Sequence, residues 1–128
     1  MKPTLFPVLF FVLLLAACGS AASELQVTDP QQPIEVGAGE EFTIVLEANP
    51  TTGYQWKIVD EVDGAVVEFV RSEYKSTSDP KLVGGGGLDL WTFKAVNAGE
   101  AEVTLGYYPP SNDPTDPQQT LTFTVIVK

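Results

Sequence analysis

An all-β sandwich of about seven to eight short strands is the fold class that the sequence predicts. Runs of alternating apolar and polar residues recur along the chain, separated by turn residues at the spacing of a sandwich. No window shows a sustained helical period. Cys18 is the only cysteine, so no disulfide can join two strands. We therefore expect an immunoglobulin-like β-sandwich, for which about 100 residues supply a sufficient core.

The first 23 residues are predicted to lie outside this domain. Residues 1–17 combine a basic start with an apolar run, which is typical of a secretory signal too short to span a bilayer. The small residues before Cys18 resemble a bacterial lipobox, in which the cysteine is acylated, for example with palmitate, and the chain is cut before it. A plain signal peptide with a stray cysteine, or an uncleaved anchor, is the alternative.

This pattern predicts an exported protein. Its lipid on Cys18 would hold it to a bacterial membrane, facing the periplasm or the cell exterior. Residues 18–23 would form a short lipidated tether, and residues 24–128 would form the folded domain.

The predicted domain alternates strands and turns throughout. Strands are expected at 25–27, 34–36, 42–48, 54–59, 66–70, 88–93, 101–108 and 120–128. The stretch 72–80 is polar, with Tyr74 as its single large apolar residue, and is not assigned to a strand. Residues 109–119 hold four prolines and are predicted to form a long loop without ladder hydrogen bonds. The side chains expected to point inward are Phe42, Ile44, Leu46, Trp56, Phe93, Leu105, Phe123 and Val125.

Composition excludes several classes of function. The chain has no histidine, and only Cys18 carries a thiol, so Ser-His-Asp triads, Cys-His pairs and the usual zinc sites cannot form. Its formal net charge of −10 argues against nucleic acid as a partner, and no cofactor is expected. A basic protein partner remains compatible with this charge.

Carboxylate groups leave two further possibilities, an enzyme and a calcium site. The pairs Asp60/Glu61 and Asp113/Asp116 could serve acid–base chemistry, but such pairs are more often solvated loop charges. Asn112, Asp113 and Asp116 could bind calcium, although their spacing is not that of a known oxygen-ligand loop. We therefore expect neither an enzyme nor a metal site.

The most distinctive stretch is Asn49-Pro50-Thr51-Thr52-Gly53-Tyr54, followed by Trp56. Proline has no amide donor and biases its predecessor toward extended geometry, so Asn-Pro ends the preceding strand. Glycine permits a left-handed or close-approach conformation before the next strand begins. The sequence thus predicts a stiff loop with two small hydroxyl residues at its tip. An ordinary hairpin turn is the alternative.

Three stretches together resemble the chagasin family of protein inhibitors of papain-like cysteine proteases. They are Gly37-Ala-Gly-Glu-Glu-Phe42, the Asn49–Tyr54 block with Trp56, and Leu82-Val83 followed by the glycines 84–87. The resemblance covers nearly all of residues 24–128. It implies an immunoglobulin-like sandwich whose three loops at one end wedge into the protease cleft.

The resemblance assigns these loops to residues 49–54, 82–88 and 107–119, which we name the first, second and third loops. In the family, the first loop meets the catalytic Cys-His pair of the enzyme and the second lies along one wall of the cleft. The implied protease-binding residues are Asn49, Pro50, Thr51, Thr52, Gly53, Tyr54, Gly84, Gly85, Gly86, Gly87, Tyr108 and Pro109.

The third loop departs from the family pattern. Where the family usually carries Arg-Pro-Trp, this chain has Tyr107-Tyr108-Pro109-Pro110, and only Pro109 is retained. Arginine and tryptophan are typical interface anchors, so their loss bears on affinity. We expect a monomeric inhibitor of a papain-like cysteine protease. The alternative is a lipid-anchored module that recognises another protein or a glycan through the same loops.

Overall fold

Eight strands in two sheets make up the part of the protein that the computed structural model describes, namely residues 24–77, 86–111 and 116–128. One sheet has the strand order β1-β3-β6-β5, and the other has the order β2-β8-β7-β4. The strands are β1 (Leu25–Val27), β2 (Ile34–Val36), β3 (Glu41–Ala48), β4 (Gln55–Ile58), β5 (Val67–Ser76), β6 (Gly87–Ala95), β7 (Gly99–Tyr108) and β8 (Gln119–Val127). This confirms the predicted all-β sandwich.

The pairing is antiparallel except at two short strands. β1 runs parallel to β3, with Leu25 opposite Phe42, and β2 runs parallel to β8, with Ile34 opposite Val125. The remaining strands pair as β3/β6, β5/β6, β4/β7 and β7/β8. Within residues 24–77, 86–111 and 116–128, no helix is long and apolar enough to cross a membrane.

The core lies between the sheets and follows the predicted alternation. Fully buried rings come from Phe42 and Phe93, which stack with centroids 5.6 Å apart, and from Phe123 in the opposite sheet. The predicted inward residues are confirmed, because each is buried. They are Phe42, Ile44, Leu46, Trp56, Phe93, Leu105, Phe123 and Val125.

The predicted end of β5 was wrong. The strand continues to Ser76 through a stretch that is almost entirely exposed and polar. Its backbone pairs with β6, from Arg71 opposite Thr92 to Ser76 opposite Gly87. An irregularity between Phe69 and Arg71 shifts the register, so the side-chain alternation changes phase there. Because β5 is an edge strand, its pairing partner rather than its own hydrophobicity determines its length.

The outer face of the sheet that contains β3 and β6 carries two buried threonines that the alternation did not predict. Thr43 and Thr92 are each 3% exposed, and their hydroxyls lie 3.0 Å apart. Both hydroxyls donate to the Glu24 carboxylate, at 2.6 Å from Thr43 and 3.4 Å from Thr92. Arg71 lies 3.6 Å from the same carboxylate oxygen. This contact connects the beginning of the domain to the sheet.

Strand register brings the three loops to one end of the sandwich, which we call the loop end. Ala48, where β3 ends, pairs with Gly87 at the start of β6. In the other sheet, Gln55 at the start of β4 pairs with Tyr108 at the end of β7. Gln119 at the start of β8 pairs with Tyr107. The described ends of the predicted loops therefore lie next to one another.

Candidate functional site

The first loop forms a single turn of 3₁₀ helix over Pro50–Thr52. Asn49 caps it in an extended conformation, with φ −135° and ψ 93°, and Pro50 occupies the first helical position. Gly53 ends the turn in the left-handed region at φ 81°, as the sequence predicted. The turn places Pro50, Thr51 and Thr52 on the exposed surface of the protein.

Hydrogen bonds inside the turn engage both threonine hydroxyls. Thr51 Oγ1 donates to Asn49 Oδ1 at 2.5 Å, and the Thr51 amide donates to the same oxygen at 3.2 Å. Thr52 Oγ1 donates to the Asn49 carbonyl at 2.7 Å. The Gly53 amide donates to the Pro50 carbonyl at 3.1 Å. In the free protein these hydroxyls therefore hold the turn in shape, and their exposed methyl groups remain for contact with a partner.

The base of the first loop connects the two sheets. Trp56 lies in β4, and its indole Nε1 donates to the Glu47 carbonyl in β3 at 3.0 Å. The Tyr107 ring packs on Trp56 at 4.8 Å and on Tyr54 at 5.0 Å between centroids. These contacts fix both ends of the loop to the body of the sandwich.

The described part of the second loop is residues 86–88. Gly86 is half-buried, and its carbonyl accepts a hydrogen bond from Thr77 Oγ1 at 3.4 Å. Gly87 is buried within β6, where an added Cβ would collide with the Lys75 carbonyl and the Tyr74 hydroxyl. Glycine is thus required at residue 87 by packing. Its predicted contact with a protease stays a prediction, and Gly84 and Gly85 lie outside the described residues.

In the third loop, the Tyr108 ring folds back over the sheet. A Cβ added to the buried Gly106 would lie 2.9 Å from Tyr108 Cε2 and 3.1 Å from Pro117 Cβ. Lys57 Nζ lies 5.4 Å from the centre of the Tyr108 ring, within the range of a cation–π contact. Tyr108 and Pro109 are half-buried in the free protein. The tyrosine therefore packs on its own sheet instead of projecting beyond the loop end.

Pro110 connects the third loop to the first. A Cβ added to Gly53 would lie 2.9 Å from Pro110 Cβ and 3.1 Å from Pro110 Cγ. The proline ring therefore covers the Cα of Gly53. Sequence reasoning missed this contact, and it also missed the packing at Gly106. The packing at Gly106 could have been predicted, because a glycine inside a strand often marks a close approach by another group.

A groove of about 960 Å³ lies beside the loops. Its apolar wall includes Leu46, Trp56 and Leu121, and Asn49 and Gly87 lie at its margin. The groove is thus lined by residues of both sheets next to the first loop.

Three of the carboxylates considered for catalysis or metal binding, Asp60, Glu61 and Asp116, lie in the described part of the chain. Asp60 and Glu61 are both exposed and line an open acidic depression with Asp63 and Glu100. Asp116 is exposed, whereas residues 112 and 113 lie outside the described part of the chain. Among the residues that the structure describes, no group of three or more His, Cys, Asp or Glu side chains is arranged to hold a metal ion.

Partial burial affects the carboxyl group of Asp89. This residue lies in β6, opposite Leu46 of β3 and Tyr74 of β5. Partial burial raises the pKa of its carboxyl above the ordinary value of 3.8, because desolvation disfavours the charged form.

Comparison with known sequences identifies related proteins. The sequence profile described as Chagasin family peptidase inhibitor I42 matches residues 35–125. Amoebiasin-1 of Entamoeba histolytica is 34% identical over 79 residues, which are 60% of this chain and 72% of amoebiasin-1. Chagasin of Trypanosoma cruzi is 32% identical over 98 residues, which are 74% of this chain and 86% of chagasin.

The fold also has solved counterparts. The crystal structure of EhICP2, a cysteine protease inhibitor from Entamoeba histolytica, superposes with a TM-score of 0.63 at 23% sequence identity. The match covers 81% of this chain and 95% of EhICP2. At this identity the likeness establishes a shared fold, and the sequence matches above establish kinship.

Proposed function

The chain belongs to the chagasin family of peptidase inhibitors, and from this premise we propose that it inhibits papain-like cysteine proteases by inserting its loop end into the active-site cleft. The protein acts as an inhibitor and not as an enzyme. The observation that carries the proposal is the exposed 3₁₀ turn of the first loop, whose base is fixed to both sheets.

The shape of this turn suits an inhibitor that is not cleaved. Its Gly53–Pro50 hydrogen bond keeps the backbone curled, whereas a protease needs an extended segment to attack a scissile carbonyl. Pro50 and the internal bonds of Asn49 reduce the conformational entropy that binding would otherwise remove. The turn can therefore occupy the cleft as a rigid body without presenting a substrate.

The third loop makes a smaller contribution in this proposal. Tyr108 is folded over Gly106 and does not replace the projecting Arg-Pro-Trp anchor of the family. Binding would then depend chiefly on the first loop, with the second loop beside it. This arrangement also supports the alternative function, recognition of another protein or a glycan without inhibition.

The test replaces the two exposed threonines with arginine. Both changes are made in the untethered domain, residues 20–128, which lacks the signal and Cys18. The Thr51→Arg/Thr52→Arg variant should inhibit papain and a cathepsin-L-like enzyme more weakly by at least about 2 kcal/mol, roughly thirtyfold. The cause is a clash and an unpaired charge in the interface. Its stability should fall by only about 1 kcal/mol, since the lost hydrogen bonds are exposed.

Thr122→Arg is the matched control, because this threonine is exposed on β8 away from the turn. It should leave inhibition unchanged. If the double arginine variant inhibits as well as the parent protein, the first loop is not the inhibitory element. If the parent protein inhibits neither enzyme, the non-inhibitory binding module is favoured.

We also propose that the protein is exported and anchored to a bacterial membrane by a lipid on Cys18. The support is sequence-based: an apolar run followed by Leu15-Ala16-Ala17 directly before the single cysteine. Cys18→Ser should release the protein from membranes or leave it unprocessed. Continued membrane fractionation of the processed variant would contradict the anchor, and Ser20→Ala should fractionate like the parent protein.

A further inference from the structure

We infer that Pro110 is a positioning residue, which holds the turn of the first loop in its binding-competent shape. The inference rests on the proposed inhibitory function and deepens it. It gives the divergent third loop a role that acts within the protein itself, through contact with the first loop.

The contact falls on the residue that closes the turn. Gly53 is the left-handed residue at φ 81° that ends the 3₁₀ helix and leads the chain into β4. The Pro110 ring lies so close to its Cα that an added Cβ would be 2.9 Å from Pro110 Cβ, although both residues are exposed. Displacement of Gly53 toward Pro110 would therefore run into the proline ring. The ring restricts the position at which the turn must bend most sharply.

The turn needs this support because its own bonds are few and exposed. A single 3₁₀ turn has poor hydrogen-bond geometry and is rarely stable alone. The bonds that Asn49 accepts from Thr51 and Thr52 are exposed to competing water, so each contributes only about 0.5–1.5 kcal/mol. A contact from outside the loop can therefore change the fraction of molecules in which the turn is formed.

The third loop is itself held firmly enough to provide that contact. Tyr107 packs between Tyr54 and Trp56, and Tyr108 lies over Gly106. Two residues later, the fixed backbone angle of proline limits the directions in which Pro110 can move. The anchored end of β7 therefore positions the proline ring against the first loop.

The expected consequence is kinetic. If only part of the free protein has the competent turn, the apparent association rate is the intrinsic rate multiplied by that fraction, while an assembled complex dissociates as before. Loss of a direct contact with the protease would instead raise the dissociation rate, as most interface substitutions do. The two rate constants therefore distinguish a positioning role from a contact role.

The first experiment measures both rate constants for Pro110→Gly binding to papain, in the folded untethered domain. We expect association to slow by about tenfold and dissociation to change by less than about twofold. Pro33→Gly is the control, because this exposed proline precedes β2 and has no contact with the first loop among those described. An unchanged association rate constant, or an effect confined to the dissociation rate constant, would overturn the inference.

A second experiment needs no protease. Gly53→Ala introduces both left-handed strain and a clash with Pro110, and only the clash disappears in the Pro110→Gly background. Gly53→Ala should therefore lower the melting temperature less in that background than in the parent protein, since the backbone strain is common to both. Pro110→Ala is unsuitable here because it retains the Cβ that lies nearest.

Amide exchange of Gly53 completes this test. Its N–H donates to the Pro50 carbonyl, so Pro110→Gly should speed its exchange by at least about threefold while core amides such as Val103 stay protected. The positioning role would be refuted if Gly53→Ala lowered the melting temperature equally in both backgrounds and Pro110→Gly left the amide exchange of Gly53 unchanged. If the parent protein fails to inhibit papain, the proposed function falls, and these two measurements still decide the role of Pro110.

Discussion

The first and third loops lie side by side but are held in different ways. Within the first loop, Asn49 accepts hydrogen bonds from residues two and three positions along the chain. The third loop is held by its contacts with other elements, since Tyr108 lies near Lys57 and Pro110 lies on Gly53. A loop with local bonds can be transferred between related proteins as a short motif, whereas a loop held by distant contacts depends on the residues around it.

The difference explains how a family pattern can be kept in one loop and lost in the other. The Asn-Pro-Thr-Thr-Gly sequence contains the cap, the proline and the left-handed glycine of its turn. In the third loop, Tyr108 lies over Gly106 and Pro110 contacts Gly53. The two loops therefore meet at Gly53, where the third loop can influence the first.

The largest expected effect comes from removing the side chain beneath both loops. Trp56→Ala should lower the free energy of unfolding by about 3–5 kcal/mol, because it deletes a buried ring and the bond to the Glu47 carbonyl. Chemical denaturation measures this loss. Inhibition by the remaining folded molecules should also weaken, since Tyr107 loses the ring on which it packs.

Phe93→Ala is the comparison variant, because this ring is fully buried but lies in the core away from the loop contacts. It should also lower the free energy of unfolding by about 3–5 kcal/mol, but the molecules that remain folded should inhibit fully. A loss below about 1 kcal/mol at both positions would contradict the assignment of these rings to the core.

A second variant breaks the third loop alone. Gly106→Ala should cost about 1–3 kcal/mol, because its Cβ would press on Val59, Tyr108 and Pro117. Adding Tyr108→Ala should recover part of this loss, since one of the crowding groups is removed. Thermal denaturation of the two single variants and the double variant measures the coupling, and strictly additive costs would refute the folded-back position of Tyr108.

A third variant breaks the first loop alone. Asn49→Ala removes the acceptor for the Thr51 hydroxyl and amide, which should destabilise the turn by about 1 kcal/mol and weaken inhibition about fivefold. Asn49→Asp keeps the acceptor oxygen and is the control. Inhibition constants of both variants against papain give the comparison, and equal losses would mean that capping is not what the asparagine provides.

The smallest expected effect concerns pH. Burial raises the pKa of Asp89, so this carboxyl binds a proton more readily in the folded protein than in the unfolded chain. Its contribution to the free energy of unfolding therefore declines as the pH rises from the ordinary value of 3.8 through the raised pKa. Asp89→Asn should remove this decline and raise the melting temperature at pH 7. Asp60→Asn, at an exposed residue, is the comparison variant and should leave the decline due to Asp89 in place. A lower melting temperature for Asp89→Asn at pH 7 would show that the charge is stabilised by its surroundings.

Sequence reasoning identified the features that short segments encode. The alternation of β3 identified Phe42, Ile44 and Leu46 as core residues. The glycine of the Asn-Pro-Thr-Thr-Gly stretch identified the bend at Gly53, because only glycine adopts that geometry readily. The sequence also indicated the family, through motifs that are contiguous in the chain.

The sequence by itself determined the all-β class, the inward residues and the residues that cap and close the first turn, since each depends on neighbours a few positions away. Only the tertiary structure decided the length of β5, which is set by pairing with β6. It alone decided the packing requirement at Gly87, the direction of Tyr108 and the contact between Pro110 and Gly53. These features join residues that are distant in the chain, and no local pattern of polarity specifies which distant groups will meet.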